Sequence, residues 1–97
     1  MKLIGIGYLE AFCAGHADGR GWIANWIQDV RASQWKEPQE IKARYPSASF
    51  LPGNMVIFNV RGNNYRLEAQ IAYHVGVVAV RWIGTHAEYS KRKSQQS

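Results

Sequence analysis

The spacing of apolar residues changes halfway along the chain, and this change limits the possible folds more than any other feature. In the first half, apolar residues recur at helical spacing, as they do on one side of an amphipathic helix. From Met55 onward they alternate with polar residues, as in strands that bury one face. The pattern predicts helices followed by a sheet, which is an α+β architecture.

Three helices are predicted before the sheet. The first runs from Tyr8 to about His16 and is followed by a break at Ala17–Gly21. The second carries an apolar stripe from Trp22 to Val30. The third is shorter and spans Pro38–Tyr45, because proline suits a first helical position and a residue before proline avoids the helical region. Ser47–Asn54 indicates a loop, since it is rich in Ser, Pro and Gly.

The second half predicts an antiparallel meander of three strands joined by hairpins, with a further short strand possible over residues 2–6. The strands are Met55–Val60, Asn64–His74 and Val77–Gly84, and the turns are Arg61-Gly62-Asn63 and Val75-Gly76. A two-residue turn at Val75-Gly76 would place His74 opposite Val77, and this register fixes which side chains share a face.

The register predicts one buried face and one polar face. The buried face would carry Val56, Phe58, Val60, Tyr65, Leu67, Ala69, Ile71, Tyr73, Val78, Val80 and Trp82. The other face, called the cationic face below, would carry Arg66, Glu68, Gln70, His74 and Arg81. The N-terminal helices are predicted to cover the apolar face and to leave the cationic face open.

A short C-terminal helix is predicted to begin where the last strand ends. Thr85 and Glu88 fit the capping box, in which each side chain satisfies the other residue's backbone N–H. This places His86 at the first helical position and Tyr89 one turn later on the same side, at the rim of the sheet. Beyond Lys91 the polar tail is expected to fray.

Length and charge limit the class of protein. A chain of 97 residues fits one domain, residues 1–97, with one core. The net charge of +5 favours a polyanionic partner, which could be nucleic acid, an anionic membrane surface or an acidic protein. Cys13 is the only cysteine, which excludes an intramolecular disulfide. Without a signal peptide or a membrane-spanning run, the protein is expected to be soluble and cytoplasmic, with no membrane partner.

The candidate catalytic residues are cationic, imidazole and phenolic side chains near the end of the sheet. They are Arg66, Arg81, His86, Tyr89 and Lys91. The sequence offers no nearby pair of carboxylates, no metal-ligand spacing among its three histidines and no phosphate loop. Arginine holds a phosphate, histidine exchanges a proton near neutral pH, and tyrosine stacks on a base. This set of residues favours phosphodiester chemistry.

Four ordered segments resemble the HigB toxins, the mRNA interferases of the RelE/ParE superfamily. They are Trp35-Lys36-Glu37-Pro38, residues 41–48, residues 58–67, and Gly84-Thr85-His86-Ala87-Glu88-Tyr89. They are similar to the family patterns W-x-x-P, I-K-x-x-Y-P-x-A, F-N-x-x-G-N-x-Y-R-L and G-T-H-x-E-Y. The similarity covers roughly residues 22–91, and the first 20 residues match only loosely.

The resemblance implies a RelE-like fold, a small antiparallel sheet with N-terminal helices on one face. It also implies a ribosome-dependent endoribonuclease of a type II toxin-antitoxin system, which cuts mRNA and is inhibited by a helix-turn-helix antitoxin (HigA-like). Since the family uses the 2′-hydroxyl of the RNA as nucleophile, the resemblance implies that neither a metal nor a cofactor is needed. Arg66 and Arg81 would hold the scissile phosphate, whereas His86, Tyr89 and Lys91 are candidates for proton transfer and base positioning. Further RNA-binding candidates in or beside the matching segments are Lys42, Arg44, Arg61, Asn64 and Lys93.

The chain departs from the family at Ser90, where an Asp is common. Each candidate also has a simpler interpretation. His86 alone would more often be structural, Tyr89 could pack the helix onto the sheet, and Lys91 to Lys93 could be an ordinary solvated helix end. His16 and His74 are interpreted as bystanders and Glu88 as a cap. A second hypothesis is therefore a non-catalytic toxin or binding module that docks on rRNA or on a protein target.

Overall fold

The computed structural model describes residues 1–95, with side chains described as far as Arg92. The elements in chain order are β1 Lys2–Ile4, α1 Ile6–Gly15, α2 Arg20–Ala32, α3 Pro38–Arg44, β2 Ser49–Leu51, β3 Met55–Val60, β4 Tyr65–Ala72, β5 Val77–Thr85 and α4 His86–Gln95, with a turn of 3₁₀ helix at Ala17–Gly19 between α1 and α2. The predicted α+β class and the short C-terminal helix are confirmed.

The N-terminal helices form where the apolar spacing predicts them. In α2, Ile23, Trp26 and Val30 are buried, and they lie on one side of the helix at spacings of three and four residues. Helix α3 begins at Pro38, as predicted, and buries Ile41. Together with Leu9 of α1, these side chains pack onto one face of the sheet. Each such burial stabilises the fold by roughly 1.5–3 kcal/mol.

The sheet has five strands in the order β1-β5-β4-β3-β2. The predicted meander of β3, β4 and β5 is confirmed, and β1 pairs in parallel with β5. The prediction of a loop over Ser47–Asn54 is wrong in its middle, because β2 pairs with β3 there as an edge strand. Gly53 and Asn54 adopt positive φ angles of 79° and 60° in the tight turn that follows β2.

The hairpin between β4 and β5 has a longer turn than predicted. Four residues, Tyr73 to Gly76, separate the strands, and the Gly76 N–H donates to Ala72 O over 3.0 Å. Ala72 therefore opposes Val77, and the predicted pairing of His74 with Val77 is wrong. The register differs by two residues, so each strand still presents the predicted side chains to the core. The first hairpin is confirmed, since Phe58 opposes Leu67.

A β-bulge at Arg81 changes the faces of the last part of β5. Ala69 opposes Val80, whereas Glu68 opposes Trp82, so Arg81 is an extra residue in the ladder. After the bulge the alternation is reversed. Trp82, which was predicted to be buried with the core, lies on the cationic face opposite Glu68, and Ile83 packs against the core instead.

The core lies between the helices and the apolar face of the sheet. Trp26 contacts Phe58 edge-on with ring centroids 5.4 Å apart, and Leu67, Ala69 and Ile71 of β4 are all buried. The cationic face is not left fully open, which corrects the prediction. Helix α4 lies against it, and Arg92 of that helix reaches Glu68 of β4 at 2.8 Å.

Candidate functional site

The residue at the centre of the site is Arg66 on β4. Its Nη2 lies 3.2 Å from His86 Nε2, and its guanidinium lies over the Tyr89 ring, 4.7 Å from the centroid. Because a guanidinium only donates, His86 accepts this hydrogen bond through the lone pair of a neutral imidazole. We call Arg66, His86 and Tyr89 the Arg66 cluster. The structure brings together these three of the five predicted catalytic residues.

Arg66 keeps several donors free within the cluster. Its side chain is partly exposed, and only Nη2 makes a hydrogen bond among the described residues. Its Nε is buried without a partner, which is costly because a buried donor loses its hydrogen bonds to water. An anion that binds the remaining donors would pair with the charge of the guanidinium, which makes it a candidate anion site.

The capping box sets the position of His86 and Tyr89. The Thr85 N–H donates to Glu88 Oε1 over 2.8 Å, and the Glu88 N–H donates to Thr85 Oγ1 over 3.1 Å, as predicted. The His86 N–H also donates to Asn64 O over 3.2 Å, which ties the start of α4 to the turn before β4. The hydrogen bonds from Thr85 lower the pKa of the Glu88 carboxyl below its ordinary value. Glu88 is therefore a cap, as interpreted from the sequence.

Trp82 supports the cluster from beside it. Its ring centroid lies 6.0 Å from that of Tyr89, and its six-membered ring lies directly over Gly84. A Cβ at Gly84 would stand 2.7 Å from two carbons of the indole and 2.9 Å from Glu88 Oε1. This role of Trp82 was not predicted from the sequence, because only the bulge turns Trp82 toward this face. Glycine at position 84 was the available signal, since it allows a close approach at the end of a strand.

Arg81 lies on the cationic face with Arg66, as predicted, but it is held elsewhere on that face. Its Nη2 and Nε donate to Gln70 Oε1 over 2.6 Å and 3.2 Å. Gln70 lies four residues from Arg66 on the same strand, a separation of about 13 Å. The Gln70 amide in turn donates to Gly53 O over 3.1 Å, which fixes its side chain. The exposed Arg81 guanidinium thus forms a second cationic position, separate from the Arg66 cluster.

The other predicted residues of α4 lie along its exposed side. Lys91 is exposed, five residues beyond His86, and Ser90 is exposed beside Tyr89. The side chain of Lys93 lies outside the described residues. A carboxylate at position 90, as the family commonly has, would therefore face solvent next to the cluster.

Four further RNA-binding candidates have partners within the protein. Lys42 Nζ donates to Ala48 O over 2.9 Å, and Arg44 pairs with Asp29 at 2.8 Å. Arg61, which lies in the turn between β3 and β4, donates from Nη1 to Asp18 O over 3.2 Å. Asn64 follows in the same turn and accepts from the start of α4. Arg61 and Asn64 thus lie beside the Arg66 cluster, whereas Lys42 and Arg44 lie on α3, which packs on the other face. Their RNA-binding role remains a prediction.

Two residues near the cluster were not predicted as site residues. Asn59 of β3 stands directly opposite Arg66 and donates to Ser47 O over 3.3 Å. Tyr65 donates to Asp18 over 2.7 Å, and this hydrogen bond raises the pKa of Tyr65. His16, interpreted from the sequence as a bystander, stacks on Phe12 with ring centroids 4.3 Å apart. Among the described residues, no three His, Cys, Asp or Glu side chains come together as a metal site.

The fold and the site define a class of protein: a small basic α+β protein with an arginine, a histidine and a tyrosine in contact at one end of the sheet. A family model described as HigB_toxin, the RelE-like toxic component of a toxin-antitoxin system, matches residues 20–92. Because the match covers most of the chain, this protein belongs to that toxin family, and its partner is an antitoxin. A search of curated proteins found no match. None of the described helices combines the length and apolar composition needed to cross a bilayer.

Proposed function

We propose that this toxin is a ribosome-dependent endoribonuclease that cuts mRNA in the cytoplasm and so inhibits translation. The observation that carries the proposal is the Arg66 cluster, in which a guanidinium, a neutral imidazole and a phenol ring lie in contact. A surface that only docks on a polyanion needs positive charge but no proton acceptor. The contact between Arg66 and His86 supplies both, and this favours catalysis over docking alone.

The proposed reaction is an internal transfer at one phosphate of the RNA. The 2′-hydroxyl attacks the adjacent phosphorus, the bond from phosphorus to the 5′-oxygen breaks, and the products are a 2′,3′-cyclic phosphate and a 5′-hydroxyl. The neutral His86 imidazole accepts the proton of the attacking hydroxyl. Arg66 stabilises the charge that develops on the non-bridging oxygens. Because the nucleophile belongs to the substrate, the step requires no metal ion or cofactor.

Other residues have supporting roles in this proposal. Tyr89 orders the Arg66 guanidinium against its ring and stacks a base beside the scissile phosphate. Lys91, on the exposed side of α4, is the candidate that returns a proton to the leaving 5′-oxygen. Arg81 holds a neighbouring phosphate, while Arg61 and Asn64 contact the RNA from the turn beside the cluster. The antitoxin is proposed to be a HigA-like helix-turn-helix protein that blocks access to the ribosome.

The test is cleavage of mRNA on purified ribosomes by wild-type protein and by Arg81→Ala, His86→Ala and Arg31→Ala. Loss of Arg81 or His86 should reduce cleavage by about 100-fold or more, as expected for groups that hold charge or move a proton in the transition state. Arg31 is exposed on α2, outside the site, so its variant is a matched control that should cut normally.

The nuclease proposal is wrong if the wild-type protein leaves mRNA intact, or if both site variants cut like the control. Toxicity in cells without any cleavage would instead support the alternative, a non-catalytic toxin that docks on rRNA or on a protein target.

A further inference from the structure

Glu68 is the one acidic residue on strands β3, β4 and β5. It points toward the cationic face, two residues from Arg66 along β4, a separation of about 7 Å. Across the ladder it opposes Trp82, which is the neighbour of Arg81. This carboxylate therefore lies between the two arginines that the proposed function assigns to phosphate binding, and it carries the same charge as a phosphate.

Arg92 of α4 holds this carboxylate. Its Nη1 lies 2.8 Å from Glu68 Oε2, and its guanidinium also lies over the Trp82 ring, 5.0 Å from the centroid. The Glu68 side chain is 15% exposed and that of Arg92 is 35% exposed, so the pair is partly shielded from water. Two contacts, one ionic and one with an aromatic face, fix the guanidinium in place.

We propose that Arg92 acts as a positioning residue that sequesters Glu68, so that Arg66 and Arg81 remain free to bind the RNA phosphates; this rests on the proposed function. Arg66 and Arg81 lie on the same face on either side of Glu68, so without Arg92 the Glu68 carboxylate would pair with one of them. A phosphate would then have to displace that carboxylate before binding. Arg92 would thus act on substrate binding without contacting the RNA.

If Arg92 sequesters Glu68, removing the Glu68 carboxylate should restore the RNA affinity that is lost when Arg92 is replaced. Neither a structural anchor nor an RNA contact at Arg92 would give this result. Arg92→Ala should weaken affinity for a short single-stranded RNA, made uncleavable by a 2′-deoxy nucleotide, by about fivefold. The same loss should appear in kcat/KM on ribosomes, mainly through KM. Glu68→Gln alone should bind at least as tightly as the wild type. The double variant should return to within about twofold of the wild type, because the competing carboxylate is gone.

Three outcomes would overturn the inference. If Arg92 only anchors α4 through Glu68, then Glu68→Gln will bind the RNA as weakly as Arg92→Ala does, and the double variant will bind no more tightly. If Arg92 itself binds phosphate, the double variant will stay as weak as Arg92→Ala. If Arg92→Ala loses no affinity, Glu68 does not compete. Arg92→Met retains the aliphatic stem that covers Trp82, and it takes the place of Arg92→Ala should that variant unfold.

The binding assay separates this inference from the nuclease proposal. Binding to an uncleavable RNA needs no chemistry, so a rescue of affinity in a protein that cuts nothing would support the role of Arg92 and reject the nuclease. Normal cleavage, together with no recovery of affinity in the double variant, would support the nuclease and reject the role of Arg92.

Discussion

At the scale of single residues, the site depends on the chemistry of one arginine. Arg66 contacts an imidazole nitrogen and an aromatic ring at the same time, and its Nε stays buried without a partner among the described residues. A planar guanidinium makes both contacts from one position, because its five N–H donors lie in the plane of the group while its flat face stacks on the ring. An ammonium group is a point charge and provides neither the fork nor the stacking plane. The requirement at position 66 is therefore for arginine itself and not only for positive charge.

We expect Arg66→Lys to lose most cleavage activity despite keeping its charge, with a drop in kcat of at least about tenfold. Cleavage of mRNA on ribosomes is the measurement, and thermal unfolding checks that the fold persists. The matched control is Arg31→Lys on α2, which should leave kcat unchanged. Equal activity of Arg66→Lys and the wild type would show that the fork geometry is not used.

At the scale of elements, the seating of α4 on the sheet decides where His86 and Tyr89 stand. The capping box and the bond from His86 N–H to Asn64 O fix the first turn, and Trp82 supports Tyr89. Gly84 allows this arrangement because it leaves room for the indole directly above the strand. The geometry of the Arg66 cluster thus depends on the absence of a side chain at position 84 in β5.

Gly84→Ala should destabilise the protein by roughly 1–3 kcal/mol, because the new methyl group would overlap the indole and the Glu88 carboxylate. Urea unfolding measures the change. Gly21→Ala is the matched control: its Cβ would meet nothing within 4 Å, and α2 should gain about 0.5–1 kcal/mol from it. If the two variants shift stability in the same direction, Gly84 is not a packing requirement.

The capping box also predicts a dependence of stability on acid pH. Glu88 has a pKa below its ordinary value of 4.5 in the folded protein, so its contribution is present above that value and is lost as the pH falls through the folded pKa. Melting temperature should therefore fall more between about pH 5 and pH 3 for the wild type than for Glu88→Gln. Thr85→Ala, which removes the other half of the box, should cost about 1 kcal/mol at neutral pH. Identical pH profiles for wild type and Glu88→Gln would contradict this role.

Most of the fold was predictable because local patterns specify it. The stripe of α2, the proline that begins α3 and the capping box of α4 are local signals, and the structure confirms each. The turn at Tyr73 to Gly76 was predicted with the wrong length, yet a shift of two residues kept both faces correct. Strand β2 was missed because it has only three residues at the edge of the sheet and is followed directly by Pro52, in a segment rich in Ser, Pro and Gly.

The bulge at Arg81 was unpredictable from its sequence, since no glycine or proline marks it. The bulge nevertheless affects the site, because it places Trp82 on the cationic face. The Arg66 cluster followed from strand parity and motif, whereas the face of Trp82 depends on the bulge, for which Gly84 was the one indirect signal. The contact between Glu68 and Arg92 requires knowing that α4 folds back over the cationic face, which is a property of tertiary packing and not of spacing.

At the scale of the whole molecule, the positive side chains differ in whether they are paired with a carboxylate of the protein. The net charge is +5, but Arg44 is paired with Asp29 and Arg92 with Glu68. The exposed guanidinium of Arg81, the Arg66 cluster and Lys91 lie around α4 and the cationic face. The cationic face should therefore contribute to the electrostatic attraction for a polyanion.

Binding to ribosomes should weaken steeply as salt rises, because each phosphate contact releases counterions. Arg81→Ala should reduce the slope of log affinity against log salt by about 1, whereas Arg31→Ala should leave it nearly unchanged. Affinities measured at several salt concentrations test this. Affinity that does not respond to salt would show that the cationic face is not the docking surface.

The bulge in β5 has a consequence for how the strand tolerates substitution. Before it, Val78 and Val80 must stay apolar while Val77 and Ala79 are less constrained; after it, the constraint moves to Ile83. A saturation mutagenesis scan of toxicity across this strand should therefore show an alternating pattern that slips by one position at Arg81. Deleting Arg81 would make the pattern regular, and it would leave Trp82 on the cationic face and Ile83 against the core, because both would keep their partners on β4. The bulge thus allows β5 to carry one additional residue, the Arg81 cation, without changing the faces of the residues that follow.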